Sequence, residues 1–103
     1  MGDWVKAGRV DDIGPGGLMV SVGGEDVLLV LDGGTVRAIA GLCSHQDMEL
    51  YGGHAEAGAW VCPHHGARFD MTTGRALSMP AVEPIAVYKV RIEEGTVFVE
   101  AAE

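Results

Sequence analysis

At 103 residues the chain is long enough to bury one hydrophobic core and too short for a second domain of ordinary size. Its composition, 48% hydrophobic and 21% charged, is that of a globular protein rather than a disordered one. Seven basic against fifteen acidic residues leave a net charge of -8, which argues against a nucleic-acid binder and suits either a partner with a basic patch or plain solubility.

The amino-terminal stretch Met1-Gly2-Asp3-Trp4-Val5-Lys6 has no apolar run of signal-peptide length. Lys6 stands where a myristoylation signal wants Ser or Thr. The longest aliphatic run, Val27 to Leu31, is far too short to span a bilayer. A soluble, cytoplasmic protein without a membrane partner is expected.

Sixteen glycines predict tight turns and short strands rather than long helices. Trp4, Val5, Val10 and Ile13 predict an opening strand and its packing residues, ended by Gly14-Pro15-Gly16-Gly17. Leu18 to Val22 is a short apolar run bounded by Gly23-Gly24 and predicts a strand. Glu25 to Leu31, Asp32-Gly33-Gly34 and Thr35 to Ala40 predict a hairpin, with Asp-Gly as its turn signal. Residues His54 to Val61 fit either a turn followed by a strand or, over Ala55 to Ala59, a helical turn. Ala67 to Asp70 is expected to be extended, with Met71 to Gly74 turning the chain. Pro80 and Pro84 bracket a non-helical loop. Tyr88, Val90 and Ile92 alternate with Lys89, Arg91 and Glu93, the pattern of a strand with one buried face. Glu93-Glu94-Gly95 turns it, and Thr96 to Val99 returns. No helical periodicity of useful length occurs, so the predicted fold is a small antiparallel all-β protein.

Both cysteines and all four histidines lie between Cys43 and His65. Cys43-Ser44-His45 opens this stretch and Cys62-Pro63-His64-His65-Gly66 closes it. Each end offers a soft sulfur and a borderline nitrogen ligand, a mixture suited to iron–sulfur clusters and zinc rather than to calcium or magnesium. Two cysteines could instead form a disulfide, but the adjoining histidines favour a metal.

Cys43-x-His45, sixteen intervening residues and Cys62-x-x-His65, followed by Phe69-Asp70 and Thr73-Gly74, resemble the motifs of the Rieske family. The resemblance extends from about Leu31 to Val99. It implies the Rieske fold: a small antiparallel β sandwich spanning 1–103 as a single domain, with a cluster-binding subdomain, approximately 42–70, inserted between strands. It also implies one 2Fe–2S cluster per chain, with Cys43 and Cys62 on one iron and His45 and His65 on the other. Two ferric ions, two sulfides and two thiolates carry no net charge, so an added electron is accepted more easily than by an all-cysteine cluster. His64 is an alternative to His65 that the spacing alone leaves open; the family pattern favours His65. His54 fits neither pair and is expected at the surface, while Met48 and Trp60 are expected to pack around the site.

The high-potential respiratory members of the family carry a further cysteine in each loop, where this chain has Met48 and His64. They also carry a serine and a tyrosine that donate to sulfur, where this chain has Ala67 and Phe69. Fewer such hydrogen bonds imply a midpoint potential near the bottom of the Rieske range, roughly −150 mV. Proton loss from a ligand imidazole would lower it by about 59 mV per pH unit at high pH.

These departures resemble the soluble Rieske-type ferredoxins of aromatic-ring-hydroxylating oxygenases. The resemblance implies a monomeric electron carrier, not itself an enzyme, between an NAD(P)H-dependent flavin ferredoxin reductase and a terminal Rieske oxygenase. It implies that the edges of His45 and His65 are the exit point, with Gln46 and Asp47 beside it and the Pro80 loop over the cluster. One alternative is a Rieske-like small subunit of a larger oxidoreductase such as an assimilatory nitrite reductase. Another is a structural zinc module, although zinc fingers space each ligand pair more widely.

Overall fold

The computed structural model describes residues 3–42, 49–64, 66–78 and 83–100. Among these residues ten strands follow one another: β1 (Trp4–Arg9), β2 (Leu18–Val22), β3 (Glu25–Asp32), β4 (Thr35–Ala40), β5 (His54–Glu56), β6 (Ala59–Val61), β7 (Arg68–Asp70), β8 (Val87–Tyr88), β9 (Val90–Glu93) and β10 (Thr96–Glu100). A short 3-10 turn, Val10–Asp12, follows β1. All strand pairings among the described residues are antiparallel and build three sheets, ordered β1-β10-β9, β2-β3-β4-β8 and β5-β6-β7. The expected all-β architecture is present.

The central layer explains the aliphatic run. Val27, Leu28, Leu29 and Val30 are all fully buried, because apolar material covers both faces of β3. Side chains alternate along a strand, so Leu28 and Val30 join Ile39, Leu50, Trp60 and Phe69 on one face. Val27 and Leu29 join Ile13, Val36, Val97 and Val99 on the other. Each large side chain so buried contributes about 1.5–3 kcal/mol. The first cluster ties the four-stranded sheet to β5-β6-β7, and the second ties it to β1-β10-β9.

The hairpins form where the glycines predict them. Val22 pairs with Glu25 and Asp32 with Thr35, leaving Gly23-Gly24 and Gly33-Gly34 as the two turn residues. All four have positive φ, the backbone that primed hairpin turns require. Asp32 is therefore the last strand residue rather than part of the turn. The helical alternative for residues 55–59 is not adopted: β5 and β6 form a hairpin, with Ala57 (φ 52°) and Gly58 (φ 81°) at its turn.

The carboxy-terminal alternation conceals a change of sheet. Tyr88 pairs with Ala38 of β4, whereas Val90 and Ile92 pair with Val99 and Val97 of β10. Lys89 lies at the crossover, its carbonyl accepting from Glu100 N–H at 3.0 Å. The predicted buried face is thus incomplete, and Ile92 is 46% exposed. Pro84 lies outside any strand as expected, and Pro80 lies outside the described residues.

Candidate metal centre

The first loop leaves the end of β4 through Gly41 and Leu42 and returns at Glu49 and Leu50. Its base is closed by an antiparallel bridge between Leu42 and Glu49 and by donation from Leu50 N–H to the Gly41 carbonyl at 2.8 Å. Gly41 N–H in turn donates to Asp26 of β3 at 2.9 Å. A Cβ on Gly41 would press on Met19 Sδ at 2.8 Å and on the Asp26 carbonyl at 3.0 Å. Glycine is what lets the loop base sit against the central sheet.

The second loop grows from β6. Cys62 directly follows Val61, and its N–H donates to the Ala67 carbonyl at 2.7 Å. Gly66 N–H donates back to the Cys62 carbonyl at 3.1 Å, and Gly66 has a φ of 73°. These bonds tie Cys62 to Gly66 and Ala67, where the chain passes to β7. Cys62 is free and only 2% exposed, within the apolar cluster that holds Trp60, Ala67 and Phe69. Pro63 and His64, in the turn that follows it, are exposed.

Trp60 joins the two loops. Its indole Nε1 donates to the Leu50 carbonyl at 2.8 Å in the core, and the same carbonyl accepts from Gly53 N–H at 3.3 Å. The strand that delivers Cys62 is thereby fastened to the exit of the first loop. Trp60 packs as expected, but its bond to Leu50 is not among the features expected from the sequence. The one available signal is an indole donor two residues before a candidate ligand, since a buried indole N–H needs an acceptor.

Of the four expected ligands, Cys62 lies among the described residues; Cys43, His45 and His65 lie outside them, as do Gln46, Asp47 and Met48. The described parts bring together the bases of both loops. Cys62 fits a cluster: it is a free sulfur donor, held by the backbone of its own turn and shielded from water. His54 is exposed on β5, with Nε2 3.9 Å from Glu56 Oε2. Glu56 is also paired with Arg68, whose hydrogen bond and charge hold its carboxyl below the usual range.

At the other end of β7, Asp70 Oδ1 accepts from Thr72 N–H at 2.7 Å and from Thr73 N–H at 3.0 Å. These donors, Thr73 before Thr72, lower the Asp70 pKa. Carboxylates also gather near the first loop. Glu49 closes its base, and Glu25 and Asp26 line a cleft of about 320 Å³ with Leu42 and Tyr88. Among the described residues no helix is long and apolar enough to cross a membrane.

Comparison with known proteins agrees with this layout. The family described as the Rieske [2Fe-2S] domain matches residues 3–89. The ferredoxin component of the naphthalene 1,2-dioxygenase/salicylate 5-hydroxylase systems of Ralstonia sp is 34% identical over 99 residues, 95% of this chain and 95% of that protein. Among solved structures, the ferredoxin of carbazole 1,9a-dioxygenase from Nocardioides aromaticivorans IC177 superposes with a TM-score of 0.87 at 33% identity, over 96% of this chain and 98% of that one. A chain in a complex of reduced oxygenase and oxidized ferredoxin in carbazole 1,9a-dioxygenase matches with a TM-score of 0.82 at 30% identity, over 94% of this chain and 92% of that one.

Proposed function

We propose, because the chain belongs to the Rieske [2Fe-2S] family, that it is a one-electron carrier passing electrons from an NAD(P)H-dependent flavin ferredoxin reductase to a Rieske non-haem iron oxygenase that hydroxylates aromatic rings. Its cofactor is a Rieske-type 2Fe–2S cluster. When bound, the cluster accepts and releases a single electron. Cys43 and Cys62 would hold one iron, and His45 and His65 the other. The chain acts as one domain, of which approximately residues 42–70 form the cluster-binding part. It works in the cytoplasm as a monomer and performs no catalysis of its own.

The observation that carries this proposal is the match to a ferredoxin component across 95% of both chains. The protein's own residues supply two things to such a carrier. The Trp60–Leu50 bond and the bonds tying Cys62 to Gly66 and Ala67 hold the loop bases rigid, which limits reorganisation as the charge changes. Glu25, Asp26 and Glu49 surround the base of the first loop with negative charge, suited to a basic docking surface on either partner.

The test is reconstitution. The purified, cluster-loaded protein is mixed with NADH, a flavin ferredoxin reductase and a ring-hydroxylating terminal oxygenase, and product formation is followed. Turnover should depend on this protein and fall as salt screens the acidic rim. Failure of the reductase to reduce it, or of the oxygenase to turn over with the reduced form, overturns the assignment. Gel filtration separates a freestanding carrier from an obligate subunit, since only the latter should self-associate through a surface meant for a permanent partner.

A further inference from the structure

We propose that the cleft where the chain crosses between sheets is a binding site for a small organic anion, a carboxylate on a flat apolar body. The cleft is a groove open to solvent, with a volume of about 590 Å³, within the range of small-molecule sites. Its lining includes the start of β4 and the turn after β7. Thr35 opens β4, whose other end leads into the first loop, and Thr72 follows β7, whose other end adjoins Cys62.

The charge of the lining is the first reason. The chain has fifteen acidic and seven basic residues, yet the described lining of this cleft includes Arg37 and Lys89 and no carboxylate. The second is a partly exposed guanidinium. Arg37 Nε is itself inaccessible and without a hydrogen-bond acceptor, while 36% of the side chain is exposed, so a ligand meets the guanidinium through its outer nitrogens. The Asp32 carboxylate is 3.6 Å from Nε, close enough to attract but beyond a hydrogen bond. Asp70 also feels the Arg37 charge, but its Oδ1 is engaged by Thr72 and Thr73 N–H. No carboxylate among the described residues pairs with Lys89.

The apolar side of the cleft defines the rest of the ligand. Trp4 and Ile92, 37% and 46% exposed, line it. The Arg91 guanidinium, 4.9 Å from the centroid of the Trp4 ring, holds that indole in place. A carboxylate could take donors from Arg37, Lys89 and the Thr35 and Thr72 hydroxyls while its flat body covers Trp4 and Ile92. The strands contributing these groups belong to two sheets, so an occupant bridges them.

Calorimetry on the cluster-loaded protein tests this with three probes: benzoate, benzyl alcohol and inorganic phosphate. Benzoate should bind at one site per chain and raise the unfolding temperature, as any ligand selective for the folded state must. Benzyl alcohol, which lacks the charge, and phosphate, which lacks the apolar body, should each bind at least about tenfold more weakly. Arg37→Gln and Lys89→Gln should each weaken benzoate by about tenfold or more. Lys89 is exposed, so its variant reports even if Arg37→Gln perturbs folding. No benzoate binding to the wild type, unchanged affinity in Lys89→Gln, or equal affinity for either control probe overturns the proposal.

Discussion

The Trp60 indole donates to the Leu50 carbonyl across 2.8 Å, linking the strand before Cys62 to the residue that ends the first loop. Both side chains are essentially inaccessible to water. Trp60→Phe deletes the donor, leaves Leu50 with the longer bond from Gly53, and puts a smaller ring in the same space. A loss of about 2 kcal/mol follows from these combined effects. In a domain of this size that lowers the thermal midpoint by roughly 8–16 °C. Trp4→Phe, on an exposed indole, should shift it far less. Thermal unfolding followed by far-ultraviolet circular dichroism compares the two, and equal shifts would remove the clamp from the account.

Gly53 is packed against the same junction. A Cβ there would run into the Val61 carbonyl oxygen and lie 2.9 Å from Trp60 Nε1. Since the obstruction is backbone one residue before Cys62, it cannot swing aside. Gly53→Ala should therefore cost about 3 kcal/mol or more. Gly24 has a φ of 86° but open space around its Cβ position, so Gly24→Ala should cost only the backbone strain, about 1–2 kcal/mol. Urea unfolding of the two variants gives the ordering directly.

Much of this layout is legible in the residues, and the misses have physical causes. Local turn chemistry marks β2, β3 and β4 because Gly23-Gly24 and Gly33-Gly34 supply positive φ where two-residue turns need it. The run Val27 to Val30 is harder. Without polar alternation it announces burial but not that two separate clusters divide its side chains. The Ala-Glu-Ala stretch at 55–57 suits a helix by propensity; pairing of β5 with β6 overrides it. The change of sheet at Lys89 leaves the alternation intact, so neither the crossover nor the cleft beneath it shows in the pattern. The ligand pattern is the converse case. Its residue types and spacing are explicit in sequence, while the structure contributes Cys62 and the bases of both loops.

Tyr88 gives the fold an alkaline limit. Its hydroxyl donates to Glu25 Oε1 at 3.0 Å. Burial first, then the hydrogen bond and the negative charge of Glu25, push its pKa up to about 12. The ordinary value of 10.0 applies in the unfolded chain. Because the folded value is higher, the stabilisation is complete below pH 10 and drains away as pH rises toward 12. Wild type should lose stability more steeply across that interval than Tyr88→Phe, which has no phenol to ionise. Denaturation midpoints at pH 9 and 11 check the slopes, and parallel curves would show that Tyr88 ionises as a free phenol does.

The ligand assignment predicts a simple pattern of colour. Cys43→Ala, His45→Ala, Cys62→Ala and His65→Ala should each abolish the red-brown chromophore and the acid-labile sulfide. His64→Ala should retain both, since the proposed set takes His65 and leaves His64, which is exposed, outside it. Visible absorption with iron and sulfide analysis decides it. Retention in His65→Ala with loss in His64→Ala would exchange the two roles, and a colourless wild type holding zinc would exclude an iron–sulfur centre altogether.

Ala67 and Phe69 set the expected redox level. Both are fully buried, and the Ala67 carbonyl accepts from Cys62 N–H at 2.7 Å. Neither side chain has a donor to offer sulfur. Ala67→Ser and Phe69→Tyr each introduce one hydroxyl with little change of shape. A hydroxyl that donates to a sulfur more strongly once an electron has been added favours the reduced form. A difference of about 1 kcal/mol between the two oxidation states corresponds to about 40 mV for one electron. Each substitution should therefore raise the midpoint potential by tens of millivolts, and the pair should raise it further. Protein-film voltammetry on wild type and the three variants measures the steps. A rise with Ala67→Ser but none with Phe69→Tyr would place sulfur within reach of position 67 alone, and no change in any variant would mean that neither hydroxyl reaches a sulfur.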